Sequence, residues 1–414
     1  MRFARKSRRV NTTRPGVSRK MTAVPMGPLI RTRAILEDVE DRALAPFGVR
    51  SRGAKRTHVE NVADFRTHFQ HDWNRVLHCR AFRKLEYKTQ VLPYGLGSDF
   101  VRNRLTHTLE VSQIAVGIAR ALGLNEDLAQ AVSLAHDLGH PPFGHKGEDE
   151  LQAICGHFNH NEHSLRIVTE IEKRYPSFPG LNLSTDVLEG IEKHETDYDR
   201  IGSYRFNPNL GPSLEALVAN FADTIAYRAH DIEDGLESRI VQEGDFRGVA
   251  FWRRIETELT KDMRPSMRLA RITRRAIGAM VDDIVRESAR RLEEAGVKGL
   301  ADVRASRKSL VGWSFAMAKE QKELGGLLMD KYYLSDKVKE ACGVGSKVIR
   351  ALYLRYLKEP NLLPELEREK LETAGEKERE LVVAHWIAGM TDRYALRDYE
   401  RIFGEKIVLP GAGW

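Results

Sequence analysis

The chain has 414 residues, enough for one large domain or two to three smaller ones around a sizeable core. Hydrophobic residues make up 42% and charged residues 30%. No run of about 18 apolar residues occurs, so no transmembrane helix is expected, and the basic N-terminus lacks the apolar stretch of a secretory signal.

Cys79, Cys155 and Cys342 are far apart, odd in number and form no C-x-x-C. That argues against a disulfide framework and a thiolate zinc site, and for a reducing cytoplasm. The formal charge of +7 is unevenly placed: Arg2, Arg5, Lys6, Arg8, Arg9, Arg14, Arg19 and Lys20 stand in the first twenty residues without an acid. Taking those eight charges from +7 leaves the rest of the chain at −1. Residues 1–30 therefore read as a basic, disordered tail. Such a tail is a solvated extension, or a contact to DNA that is non-specific and salt-sensitive.

Helical patterns follow, with no convincing alternating strand series. Residues 61–88 carry Phe65, Phe69, Trp73, Val76, Leu77 and Phe82 at helical spacing. A Pro/Gly loop, "VLPYGLGSD", comes next. A helix is expected from Asn103 to Leu122, with Leu105, Leu109, Val116, Ala119 and Leu122 on its inner face and Gly123 ending it. Asn125 is a candidate N-cap, with Glu126 and Asp127 in the first turn behind it. Leu128, Val132, Ala135 and Leu138 make the stripe of a helix that stops at Gly139-His140-Pro141-Pro142. Residues 214–236 form a long helix with Leu217, Phe221, Ile225 and Ile232 inside. Beyond 250 the chain is helical and highly charged, broken between Pro360 and Pro364 and closed by two short apolar helices.

The stretch "SLAHDLGHPPFGHKGEDEL", 133–151, holds His136, His140, His145, Asp137, Glu148, Asp149 and Glu150 at the end of an apolar helix. Three His-Asp dipeptides occur, at 71–72, 136–137 and 230–231. His71-Asp72 reads as solvated on a polar helix. His136-Asp137 is flanked by Ala135 and Leu138, where a charge is costly unless it is paired or bound to metal. His107 on the preceding helix and Asp223 on a third complete a set of two His and two Asp. Such a set suits Mn²⁺, Mg²⁺ or Fe²⁺.

These residues, with "KTQV", "NRLTHTLEVSQIA", "AHDLGHPPFGHKGE", "FNHNEHSLRI", "DTIAYRAHDIEDG" and "IAGMTDRYA", resemble the bacterial dGTP triphosphohydrolase family among the HD-domain phosphohydrolases. The resemblance runs from about Glu40 to Phe403. It implies an all-α HD-domain helical bundle, with residues 31–250 as the catalytic core and 251–414 as additional C-terminal helices packed on it. It further implies hydrolysis of dGTP or another dNTP to deoxynucleoside and tripolyphosphate. The family's metal ligands map onto His107, His136, Asp137 and Asp223, and its catalytic His and acidic partner onto His145 and Glu148. Three residues apart, those two would share a helix face. Substrate contacts map onto Gln90, Arg104, His140, His160, Tyr227 and Asp231. The Tyr would lie under a sugar lacking a 2′-hydroxyl, and Asp231 would accept from the 3′-hydroxyl. A homo-oligomer, commonly hexameric, and a dNTP activator are expected on the same ground. Two other readings fit part of the pattern: an HD phosphohydrolase acting on other nucleotides, and a nucleic-acid-binding protein that uses the basic tail.

Overall fold

The computed structural model describes residues 30–60, 65–92, 100–197, 205–257 and 263–407, together with Leu259 and Leu409. The basic tail up to residue 29 and residues 93–99 of the Pro/Gly loop lie outside the described residues. Among those described, the architecture is all-α: helices joined by turns, with only isolated β-bridges. None of these helices is long and apolar enough to cross a membrane.

The first helices are α1 (Arg33–Ala43), α2 (His68–Leu77) and α3 (Arg80–Lys84). The centre is built from α4 (Arg104–Ala121), α5 (Glu126–Ala135) and, later in the chain, a long helix Leu214–Glu237. Local chemistry sets their starts. The Asn103 side chain accepts the Thr106 N–H at 2.9 Å, Asn125 accepts that of Leu128 at 3.1 Å, and Ser213 accepts that of Ala216 at 3.2 Å. Gly123, at φ +68°, ends α4 in the left-handed conformation. Ala115, Ala119, Ala129, Ala222, Ala226 and Ala229 are all buried, and their small side chains let the three axes approach closely.

Between α5 and the long helix the chain forms α6 (Gly144–Cys155), α7 (His160–Arg166) and α8 (Thr185–Glu192); the long helix is thus α9. After it come α10 (Ala250–Glu256), α11 (Pro265–Glu294), α12 (Leu300–Ala305) and α13 (Phe315–Leu328). The last four are α14 (Asp336–Lys358), α15 (Glu365–Thr373), α16 (Glu376–Ala388) and α17 (Asp392–Phe403). α14, α16 and α17 enclose their own core of Leu352, Tyr356, Val383 and Ile387, which also takes in Phe143, Leu151 and Phe158. The C-terminal helices therefore grip the segment around "HPPFGH". Asp392 tightens the grip: its carboxylate accepts the Phe143 N–H at 2.9 Å and the Thr89 N–H at 3.0 Å.

Several expectations need correction. Residues 65–88 are not one helix: α2 ends at Leu77, and Cys79 caps α3 through its Sγ. Phe65 precedes α2 and is exposed. Leu109 is exposed too, because the most buried face of α4 runs through Val111, Ile114, Ala115 and Ile118 instead. His71-Asp72 is not solvated. Both residues are buried: Asp72 pairs with Arg56 at 2.6 Å and accepts the Ser184 N–H at 3.2 Å, partners distant in sequence that satisfy the charge inside. His136-Asp137 lies in a 3₁₀ turn, His136–Gly139, that follows α5 rather than in its last α-turn.

Candidate metal and catalytic centre

His107 from α4, His136 and Asp137 from the 3₁₀ turn, and Asp223 from α9 meet in the buried interior. His107 Nε2 lies 2.8 Å from Asp223 Oδ1, and His136 Nε2 lies 3.5 Å from Asp137 Oδ1 and 3.8 Å from Asp223 Oδ1. His136 Nδ1 stands 2.6 Å from the Ser133 carbonyl. A carbonyl only accepts, so Nδ1 carries the proton and the Nε2 lone pair faces the two carboxylates. His136 Nε2 and Asp137 Oδ2 are buried without a hydrogen-bond partner. Acceptors turned towards one another call for a cation between them. The donor set fits a divalent ion: candidate ligand atoms of His107, His136 and Asp137 all lie within 4.8 Å of one another.

His194 belongs to the same cluster and was missed in the sequence. Its candidate ligand atom lies within 4.8 Å of those of His136 and Asp223. Its Nδ1 meets Asn220 Oδ1 at 2.9 Å, and its Nε2 lies 3.5 Å from Asp223 Oδ2. It follows α8 in an irregular stretch, where no apolar period marks it.

An outer chain supports His107. Its Nδ1 lies 3.3 Å from His230 Nδ1, and His230 Nε2 meets the Glu110 carboxylate, which Arg102 holds from the other side at 3.1 Å. Burial pushes the His230 imidazole down to about 4, so it is neutral at pH 7. The third His-Asp dipeptide, 230–231, thus places its histidine behind His107.

The other histidines form an adjoining cluster. The His140 and His160 rings stack at 3.8 Å, and His145 meets His140 edge-on at 5.1 Å. Glu148, expected beside His145, also engages the start of α7. The Glu148 carboxylate accepts the backbone N–H of His160 at 2.8 Å and its Nδ1–H at 2.9 Å. α6 starts only at Gly144, and the face carrying Glu148 turns to the start of α7. His145 stays close: its candidate ligand atom and those of His140 and Glu148 lie within 4.8 Å of one another. Burial opposes ionisation of Glu148, but His160 and then His140 and His145 outweigh it and bring the carboxyl down to about 2.

Arg104 and His140 join the two clusters. Arg104 Nη1 lies 2.9 Å and His140 Nε2 lies 3.2 Å from Asp137 Oδ1. Burial works against the charge of Asp137, yet Arg104, His136 and His140 hold its carboxyl well below the usual carboxylate range. Arg104 is itself buried, with Nε and Nη2 unpartnered. A cavity of about 560 Å³ opens onto these groups, lined among others by Gln90, Arg104, His145, His160, Tyr227 and Tyr333. Gln90 and Tyr227 thus line the same cavity as Arg104. Asp231 is buried and accepts a hydrogen bond from the Tyr333 hydroxyl, so Tyr333, which sequence reasoning did not single out, is the side chain that reaches the cavity there. Burial raises the Asp231 carboxyl to about 7.

The turn that delivers His140 and His145 is strained. Phe143 is left-handed at φ +66°, and Gly144 follows at +67°. A Cβ on Gly144 would sit 2.9 Å from the Gln90 carbonyl oxygen, so glycine is required where two cavity segments touch.

Comparison with known proteins gives the same assignment. A family model for the HD domain matches residues 104–228, and one for a phosphohydrolase-associated domain matches residues 311–401. A deoxyguanosinetriphosphate triphosphohydrolase-like protein of Geobacter metallireducens is 42% identical over 381 residues, spanning 89% of this chain and 98% of its own. Similarly named proteins of Ralstonia nicotianae and Leptospira interrogans are 41% and 38% identical, spanning 88% of this chain in each case and 96% and 97% of their own lengths. The chain belongs to the deoxyguanosinetriphosphate triphosphohydrolase-like family of HD-domain phosphohydrolases.

Proposed function

We propose that this protein hydrolyses dGTP or another dNTP to the deoxynucleoside and tripolyphosphate, with a divalent ion held by His107, His136, Asp137 and Asp223. One observation carries the reading. His107, Asp137 and Asp223 of the metal-fitting set, the His140–His145–His160–Glu148 cluster and a buried guanidinium with two unused nitrogens all face one cavity of nucleotide size.

When bound, Mn²⁺, Mg²⁺ or Fe²⁺ would supply Lewis acidity to a phosphate oxygen and lower the pKa of a bound water. The protein's own groups do the rest. Arg104, aligned by Asp137, offers Nε and Nη2 to phosphate oxygens in a fixed plane. His145 lines the cavity beside His140, where it can take the proton of the attacking water or give one to the departing 5′-oxygen. Glu148 is a positioning group in this scheme: it holds the proton of His160 on Nδ1 and so orients the His140–His160 stack. Tyr227 supplies a flat wall for a sugar without a 2′-hydroxyl. Contact between Asp231 and the 3′-hydroxyl would run through Tyr333. The homo-oligomer and the dNTP activator enter this proposal on resemblance alone, and the DNA contact on the charge of the tail.

The test is to incubate the protein with Mn²⁺ or Mg²⁺ and each dNTP, with GTP alongside, and to separate the products by anion exchange. Deoxynucleoside and tripolyphosphate, reduced at least about 100-fold in His136→Ala and Asp137→Ala, are expected. Diphosphate or orthophosphate as the enzyme-dependent product would move the protein to another HD reaction.

A further inference from the structure

A second cavity, of about 350 Å³, lies between α3, α7, α15 and α16 and shares no lining residue with the catalytic one. Its wall is strongly cationic: Arg80, Lys84, Lys88, Arg166, Lys173 and Lys370 stand against Glu172 and Glu367. The two acids are already engaged. Glu367 pairs with Lys370 at 2.8 Å, and Glu172 accepts the Ala81 N–H at 2.8 Å. Lys84 and Lys88 rest on carbonyl oxygens instead of carboxylates. Lys84 Nζ donates to Gly389 O at 2.6 Å, and Lys88 Nζ donates to Ala388 O at 3.0 Å and to the carbonyl of His140.

A further donor lacks what an anion would provide. The indole Nε1 of Trp386 is buried without a partner, and its side chain lines this cavity. His163 stacks on His385 at 4.8 Å with their Nδ1 atoms 3.0 Å apart, so one of those two nitrogens must carry a proton. Burial, reinforced by neighbouring cations, drives Lys88 down to about 7 and His385 to about 3. Lys84 raises the cost of charge on Lys88, and a multiply charged anion beside them would lower it.

We propose that this cavity is a second binding site, for a small phosphate-bearing anion, held by Arg80, Lys84, Lys88 and the Trp386 indole N–H. Phosphate fits better than a carboxylate because the donors surround the space, whereas a carboxylate presents one edge. The site would sense the catalytic centre directly. Lys88 holds the His140 carbonyl with its side chain, and its own carbonyl accepts the Arg104 N–H at 3.1 Å.

Calorimetric titration of the full chain in excess Mg²⁺, with tripolyphosphate and separately with ATP, tests this. Wild type should show two binding events per chain for at least one of the two ligands. Lys84→Met and Arg80→Gln, both outside the catalytic cavity, should weaken one event at least tenfold and leave the other. Arg104→Met should do the converse. Tighter binding of ATP than of tripolyphosphate would identify a nucleotide as the occupant, and equal binding the phosphate chain alone. A single event that ignores Lys84→Met and Arg80→Gln and disappears in Arg104→Met would overturn the proposal. Thermal melting of each variant, with the exposed Lys173→Ala as a further probe of the same wall, separates lost binding from lost folding.

Discussion

At His136 one carbonyl decides the chemistry. Ser133 O accepts a hydrogen bond from Nδ1–H, so the other nitrogen is an acceptor aimed at carboxylates. The same logic extends outward through His107 to His230 and Glu110. Partners of this kind fix ring orientation and tautomer, and their loss typically costs 10–100-fold in metal affinity. His230→Leu should therefore weaken Mn²⁺ binding about 10–100-fold, read by titration calorimetry. His230→Gln, which keeps an acceptor, should recover part of the loss; equal affinities in Leu and wild type would remove His230 from the metal's support. A second residue-scale effect is pH-dependent. Burial, then Arg166, His157 and Lys370, lower His385 to about 3, so the folded state keeps it neutral. Below pH 6.5 the unfolded chain binds a proton that the folded chain does not. The stability it contributes is thus complete above pH 6.5 and is lost as pH falls towards 3, at up to about 1.4 kcal/mol per unit. In urea unfolding at pH 7, 5.5 and 4.5, the gap between wild type and His385→Gln should shrink in that direction; a constant gap contradicts the argument.

Among the elements, the 3₁₀ turn His136–Gly139 carries the most constraint. Gly139 N–H donates to Ser164 Oγ at 2.7 Å, and that hydroxyl donates to the His136 carbonyl at 2.9 Å, which clamps the turn onto α7. A Cβ on Gly139 would fall 2.1 Å from His160 O and 2.3 Å from Ser164 N, both backbone atoms that cannot swing aside. Gly139→Ala should cost about 2 kcal/mol or more in denaturant unfolding, whereas a change under about 0.5 kcal/mol would mean that the clamp is loose. The helices that hold this turn were legible in the sequence because capping residues and apolar periods are local: Asn103, Asn125 and Gly123 stand at the ends they mark. What escaped depends on partners far along the chain. Asp72 is buried because Arg56 and Ser184 reach it, Glu148 turns to His160 because α7 starts beside it, and His194 sits in an irregular stretch without period. Leu109 shows the limit of a stripe on a helix buried on more than one side.

For the whole molecule, the C-terminal helices are part of the catalytic architecture rather than an appendage. Asp392 at the start of α17 ties down Thr89 and Phe143, Lys88 joins Ala388 to the His140 carbonyl, and Phe143 is set in the core of α14, α16 and α17. The segments beside the cavity are thereby held by residues some 300 apart in sequence, as the Lys88–Ala388 contact shows. In the proposed reaction water attacks the α-phosphorus, the deoxynucleoside leaves through its 5′-oxygen, and the three phosphates stay joined. The most direct measurement is turnover of a dNTP in H₂¹⁸O with mass spectrometry of both products. One ¹⁸O is expected in the tripolyphosphate and none in the deoxynucleoside, because attack at the α-phosphorus breaks its bond to the 5′-oxygen. Label in the deoxynucleoside, or a deoxynucleoside monophosphate and diphosphate in its place, would contradict it.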